Sequence, residues 1–183
     1  MEPFRLNPSE ADKACLKALA RHSIESALAG DDTPPPEPDS ELLRSELGAF
    51  VTLTIGSALR GCIGNIVGQG PLFRTVWEMA RAAAFHDPRF RPLEAGELPR
   101  IAIEISILGP VEPCPDPQQV VVGRHGLIMA QGARQGLLLP QVPVEWGWDR
   151  EQFLAQTCRK AGLPASAWRS PQTRVLWFEA VVF

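Results

Sequence analysis

Ile101-Ala-Ile-Glu-Ile-Ser-Ile-Leu108 alternates along its length, and its reading decides the fold class. Ile101, Ile103, Ile105 and Ile107 share one face of a predicted strand, and Ala102, Glu104 and Ser106 share the other. Gly109-Pro110 ends it. Gly48–Ile55 reads the same way, with Val51, Leu53 and Ile55 on one face. Val175–Val182 is a third alternating run. Three helical patterns fall between and around these strands. The first has Asn7 as N-cap and Pro8 at the first helical position, an apolar face of Leu16, Leu19, Ala20, Ile24, Ala27 and Leu28, and a stop at Gly30. Pro71 opens the second, with Leu72, Val76, Met79, Ala80 and Ala83 on one side, and His86-Asp87-Pro88 closes it. Asp149, with Gln152 at N3, caps a third from Arg150 to Ala161, stopped by Gly162. Val120–Val122 and Leu127–Met129 read as short strands around a four-residue hairpin loop containing His125, and Leu137–Leu139 as another strand. Strands and helices come in runs rather than strict alternation. The expectation is an α+β domain with a mostly antiparallel sheet, two rounds of strands plus helices, and two lobes.

The chain has 183 residues, the length of a single domain over 1–183. Residues 31–40, DDTPPPEPDS, form an extended proline-rich loop within it. Apolar residues are 45% and charged residues 21%, which excludes wholesale disorder. A net charge of -3 argues against a dedicated duplex-DNA or membrane-surface binder. Nucleic-acid binding is left to a local patch such as Arg60, Arg74, Arg81, Arg89 and Arg91, unsupported by the net charge. The opening MEPFRLNPSE has charges and no apolar core, and no run approaches the length of a membrane span. A cytoplasmic protein with reduced thiols is expected. Cys15, Cys62, Cys114 and Cys158 make no CxxC, so a zinc ribbon or thioredoxin-like motif is excluded. Cys158 reads as core.

Chemistry concentrates in the glycine-rich stretch from Ala58 to Gly70. Leu59-Arg-Gly-Cys-Ile-Gly64 packs a cation, a thiol and two glycines into one short segment. Arg60 suits an anionic group, Cys62 a nucleophile, and Gly61 and Gly64 allow close approach of a ligand to the backbone. The alternative is a buried cysteine in a glycine-rich turn. His86-Asp-Pro-Arg-Phe-Arg91 adds an imidazole, a carboxylate and guanidiniums: His86 as base to Cys62, Asp87 orienting it, Arg89 toward substrate. The alternative there is a helix-terminal histidine followed by an Asp-Pro turn. Gln141 and Glu145, beside Trp146 and Trp148, suit a polar corner of an aromatic-walled pocket, with Glu145 a second candidate proton carrier; an ordinary proline-bounded connection is the alternative. Glu104 fits an exposed sheet face. There is no GxGxxG and no P-loop lysine, so no cofactor is expected, and no metal set is assigned.

These blocks resemble the AMMECR-one domain family. The likeness is carried by Leu59–Gly64, by Ala83-Ala-Phe-His-Asp-Pro-Arg-Phe90, by Glu97–Leu108, by Gly136-Leu-Leu-Leu-Pro-Gln-Val142 and by Trp148–Pro164. It implies an α+β fold with a barrel-like, mostly antiparallel sheet, packed helices and two repeats, and it implies that the LRGCIG block is the functional site. The stretch from Gly123 to Leu154 is similar to the prokaryotic branch, called AmmeMemoRadiSam system protein A. That likeness implies Memo-like and radical SAM proteins as partners; no radical SAM CxxxCxxC is present in this chain. Two readings follow. One is an enzyme or enzyme subunit using the Cys62 loop, with Arg60, His86 and Glu145. The other is a non-catalytic module that presents the LRGCIG surface to a partner protein.

Overall fold

A two-residue turn, Gly56-Ser57, joins β1 (Gly48–Ile55) to β2 (Ala58–Asn65), with Ile55 opposite Ala58. Gly56 has φ +61, a value glycine adopts without steric cost and that hairpin turns of this length require. The computed structural model describes residues 6–183; Met1–Arg5, part of the charged opening stretch behind the expectation of no signal sequence, lie outside them. β1 pairs antiparallel with β2 on one side and with β3 (Ile101–Leu108) on the other, so β1 is central and β2 is an edge. LRGCIG therefore lies on a strand, which corrects the expectation of a loop or turn. Its glycines serve packing rather than flexibility. A Cβ on Gly61 would sit 2.0 Å from the Ala83 carbonyl oxygen, and one on Gly64 would sit 2.3 Å from the Phe50 ring.

The chain divides into two compact units. One runs to Leu108 and includes Val181–Phe183; the other is Gly109–Ala180. In the first, α1 (Glu10–Leu28) and α3 (Leu72–Phe85) cover one face of the three strands, and α2 (Glu41–Arg44) packs beside α3. The isoleucines of β3 meet Val51 and Leu53 of β1 and Leu16, Ile24, Val76 and Ala80 of the helices, as the alternation requires. The cap of α1 is Ser9, not Asn7. Ser9 Oγ accepts from the Asp12 N–H at 3.1 Å and the Asp12 carboxylate accepts from the Ser9 N–H at 3.0 Å, a reciprocal box that satisfies two orphan donors. Residues 31–38 form neither helix nor strand. Arg81 pins their start, donating to Asp32 Oδ1, the Asp31 carbonyl and Ser26 Oγ. The Phe183 backbone exchanges hydrogen bonds with Ile105 at 2.9 and 3.1 Å.

The second unit holds β4 (Glu112–Pro113), β5 (His125–Gln131), β6 (Arg134–Leu138), α4 (Gln141–Glu145), α5 (Arg150–Lys160) and most of β7 (Arg174–Val182). β5 pairs antiparallel with β6 and β7, and β4 with β7. Phe153, Leu154 and Cys158 of α5 pack with Leu127 and Met129 of β5. Every strand pair named here is antiparallel, and the class is α+β. Three expectations change in this unit. Val120–Val122 is not a strand, and the hairpin is β5–β6, turned at Gly132 with φ +59. His125 begins β5 rather than sitting in a loop; it is buried, and its Nδ1 accepts from the Val121 N–H at 3.0 Å. The connection expected at Gln141 is a short helix. Pro143 is tolerated because it falls in the first turn, where a backbone donor has no intrahelical partner. No helix among the described residues is long and apolar enough to cross a membrane.

The contact at Gly61 is testable. A Gly61→Ala chain must move α3 away from β2, and urea unfolding should show a loss of about 2–3 kcal/mol, with Tm lower by roughly 5–10 °C. Gly96→Ala meets no atom within 4 Å and should leave Tm unchanged or slightly raised.

Candidate functional site

Thr52 of β1 lies directly opposite Cys62 of β2. The Cys62 N–H donates to Asp87 Oδ2 at 2.9 Å, and its carbonyl accepts from Arg89 Nη2 at 3.3 Å. Both main-chain groups thus point away from β1, at the open edge of the sheet. Thr52 and Cys62 are then the close, non-hydrogen-bonded kind of antiparallel pair, whose side chains approach most nearly. The Thr52 hydroxyl donates to Cys62 Sγ at 3.2 Å. Cys62 is half-buried, on the face of the sheet opposite the isoleucines and helices.

Asp87 follows the C-cap of α3 and is 3% exposed. Its carboxylate also accepts from the Arg89 backbone N–H at 3.1 Å, from Nε at 3.0 Å and from Nη2 at 2.7 Å. The Arg89 side chain, and then the Cys62 N–H, hold this carboxyl well below the usual range despite its burial. Asp87 in turn pushes the Arg89 guanidinium up. Arg60 sits at an irregularity: Gly61 faces Leu53 and Leu59 faces Thr54, which leaves Arg60 as the extra residue. A bulge re-aims a side chain, and Arg60 turns to Glu97, donating from Nε at 3.0 Å and Nη2 at 3.1 Å. Arg60, and then the Glu94 N–H, hold the Glu97 carboxyl at about 2. The Phe90 ring lies 6.0 Å from the Arg60 guanidinium and 5.5 Å from that of Arg89.

Cys62, Asp87 and Arg89 are therefore in contact, and Arg60 stands beside them through Phe90. His86 is the exposed C-cap of α3, and among the described residues its side chain makes no hydrogen bond; the Asp87 carboxylate is engaged with Cys62 and Arg89. Gly61 lies against α3 and Gly64 against Phe50. Gln141 and Glu145 lie on α4 in the second unit, Glu145 exposed and Gln141 half-buried with an Oε1 that has no partner among the described residues. Thr52 and Glu97 escaped the reading of the sequence. The Gly56-Ser57 turn alone would set Thr52 opposite Gly61; the extra residue at Arg60 shifts the pairing by one and brings Cys62 there, so spacing could not have supplied Thr52. Glu97 had only its capping box with Glu94 as a signal. The described residues contain no group of three or more His, Cys, Asp or Glu placed to hold a metal ion.

The family model AMMECR1 matches residues 17–183, which takes in all of these residues. The chain belongs to the AMMECR1 family. An AMMECR1 relative from Thermococcus gammatolerans is 46% identical over 179 residues, covering 92% of this chain and 87% of its own length. Protein NEQ441 of Nanoarchaeum equitans is 41% identical over 175 residues, covering 92% and 97%. The crystal structure of the uncharacterized protein PH0010 from Pyrococcus horikoshii superimposes with a TM-score of 0.83 at 42% identity, over 92% of this chain and 88% of that one. The AMMECR1 fold is thus seen at high similarity, and these relatives carry no named activity.

Both site carboxyls are depressed in the folded state, so their stabilisation is present above the ordinary carboxylate range and drains away as pH falls toward about 2 for Glu97. Glu97→Gln leaves Arg60 buried without its counter-charge. The expected loss is on the order of 3 kcal/mol at neutral pH, with a shallower further fall between pH 5 and pH 2.5 than in the unsubstituted chain. Urea midpoints at several pH values check both.

Proposed function

We propose that this AMMECR1 protein works through the Cys62 thiol, as an enzyme or enzyme subunit in the cytoplasm. Its first candidate partners are the Memo-like and radical SAM proteins that the likeness to the AmmeMemoRadiSam branch implies. One observation carries the reading: three polar side chains converge on this single residue, which is itself only half-buried. Asp87 takes its N–H, Arg89 its carbonyl, and Thr52 its sulfur. Cys158 supplies the contrast inside the same chain. It is fully buried, and desolvation pushes its thiol up, as befits a packing residue. Within the LRGCIG block the labour divides. Arg60 and Gly61 fix the strand, against Glu97 and against α3, and Cys62 is left to act. A sulfur in this position attacks an electrophilic centre: the new bond forms at Sγ, the thiol proton passes to an acceptor, and the leaving group departs with its electron pair.

The internal neutralisation of Arg60 and Arg89 favours a second reading, in which the LRGCIG surface is a docking face and Cys62 is a small packed residue. Alkylation of the folded chain by iodoacetamide, followed cysteine by cysteine with mass spectrometry, separates the two. Under the first reading Cys62 reacts faster than Cys114 and Cys158, and Cys62→Ser removes activity while leaving the fold and any partner binding intact. Slow labelling of Cys62, or labelling only on unfolding, ends the first reading. Retained binding by Cys62→Ser to a Memo-like protein would then support the second.

A further inference from the structure

Thr52 has a second cross-strand neighbour. On its β3 side it lies directly opposite Glu104. Residues opposite one another in an antiparallel sheet place their side chains on the same face, with Cβ atoms about 5 Å apart. Cys62, Thr52 and Glu104 therefore form a row across β2, β1 and β3, on the face that the helices leave uncovered. The row runs thiol, hydroxyl, carboxylate. Glu104 is exposed, and among the described residues it makes no ion pair. The charged groups beside this part of β2 are matched to one another: Arg89 with Asp87, Arg60 with Glu97, and Arg91 with Glu94 and Glu97.

We infer that Glu104 is the proton acceptor for the Cys62 thiol, acting through the Thr52 hydroxyl, and that the row admits uncharged or cationic electrophiles in preference to anionic ones. The inference rests on the reading of Cys62 as the working thiol. At rest the Thr52 hydroxyl donates to Cys62 Sγ and makes no hydrogen bond to Glu104; for the transfer it turns to accept from Sγ and donate to Glu104, as a hydroxyl can, and the step balances. The Sγ proton passes to Thr52 Oγ1 as the Thr52 hydroxyl proton passes to a Glu104 carboxylate oxygen. Thr52 ends unchanged, Glu104 is neutral, and Cys62 is a thiolate holding the electron pair of the broken S–H bond. That pair forms the bond to the electrophile, whose leaving group departs with its own pair. Glu104 lies across from Thr52 and acts on the thiol by way of it, so it is a positioning residue. The selectivity has the same origin. With these guanidiniums held by carboxylates, the unmatched charge facing an incoming molecule along this row is negative.

The test uses the folded full chain, with Cys62 labelling read by mass spectrometry apart from the other three cysteines. Iodoacetamide rates are taken from pH 5.5 to 9 for the unsubstituted chain, Glu104→Gln, Thr52→Val and Thr52→Ser. Near pH 6 a free thiol is mostly protonated, so an assisted proton transfer shows there. The unsubstituted chain should react about tenfold faster than Glu104→Gln and Thr52→Val, with Thr52→Ser close to the unsubstituted rate and all profiles converging above pH 9. A trimethylammonium-ethyl methanethiosulfonate should label Cys62 about threefold or more faster than its sulfonato-ethyl counterpart, releasing methanesulfinate in both cases, and Glu104→Gln should erase that preference. Urea midpoints establish that the exposed Glu104→Gln change leaves the fold in place. Superimposable pH profiles for Glu104→Gln and the unsubstituted chain, or a preference for the anionic reagent, overturn the inference while a reactive Cys62 keeps the thiol reading alive. A Cys62 inert in all folded chains overturns both.

Discussion

One buried carboxylate organises the site. Asp87 takes the N–H of Cys62 from the open edge of β2 and is neutralised by Arg89, which closes on the carbonyl of the same residue. An edge strand presents unpaired donors and acceptors, and a bare edge invites pairing with another chain. Here the segment leaving α3 satisfies both groups at a single residue. The arrangement depends on how closely α3 lies against β2, and Gly61 permits that approach because the Ala83 carbonyl occupies the space where a Cβ would stand. Absence of one methyl group on β2 thus places the end of α3, the end of α3 places Asp87, and Asp87 fixes the orientation of the peptide that carries the thiol. Removing the carboxylate would leave the edge amide of Cys62 without its acceptor and release the half-exposed Arg89 from its place beside the strand.

Local periodicity made much of the fold legible. Gly48–Ile55 and Ile101–Leu108 are the observed strands to the residue, and α3 and α5 begin where Pro71 and Asp149 announce them. These features depend on spacings of two, three and four residues, which a sequence displays directly. Ala58–Asn65 was obscured because its glycines suggest a loop, although Gly56-Ser57 between two apolar runs is a hairpin signal. Asn7 lost the cap of α1 to Ser9 even though each has an acidic residue at N3, Glu10 and Asp12; the reciprocal bonds form between Ser9 and Asp12, and spacing alone does not choose between the two. His125 looked like a turn residue amid glycines. Its burial follows from the Val121 N–H that needs its Nδ1 and from the Trp177 ring 4.4 Å away, neither of which leaves a mark in spacing.

The site was legible as two segments and not as a geometry. LRGCIG and His86–Arg91 were singled out because each concentrates charge, thiol or imidazole in a few residues, and they do meet, at Cys62, Asp87 and Arg89. What each group does in the meeting was hidden. An arginine beside glycines suggests a hand held out to an anion, yet the carboxylate that takes Arg60 lies 37 positions along the chain, in a 3₁₀ turn whose own cap it also completes. A pairing at that separation has no periodicity to betray it. It reverses the sense of the motif: the cation that reads as a substrate hook is part of the frame.

That reversal bears on where chemistry can sit. A strand has two faces and two edges. In β2 the helix-covered face is sealed by Gly61 and Ile63, one edge belongs to β1, and at Cys62 the other edge belongs to Asp87 and Arg89. The remaining direction is the open face, and along it the alternation that buries the isoleucines of β3 sets Cys62, Thr52 and Glu104 in line. The same period of two that decides the fold thus decides which side chains the site has at its disposal. A one-residue slip of β2 or of β3 against β1 would set Gly61 or Ile63 in place of Cys62, or Ile103 or Ile105 in place of Glu104, and break the row. Fold and candidate chemistry are in this sense one constraint: the Gly56-Ser57 turn and the extra residue at Arg60 set the register in which they coincide, and Asp87 and Arg89 close the edge at Cys62.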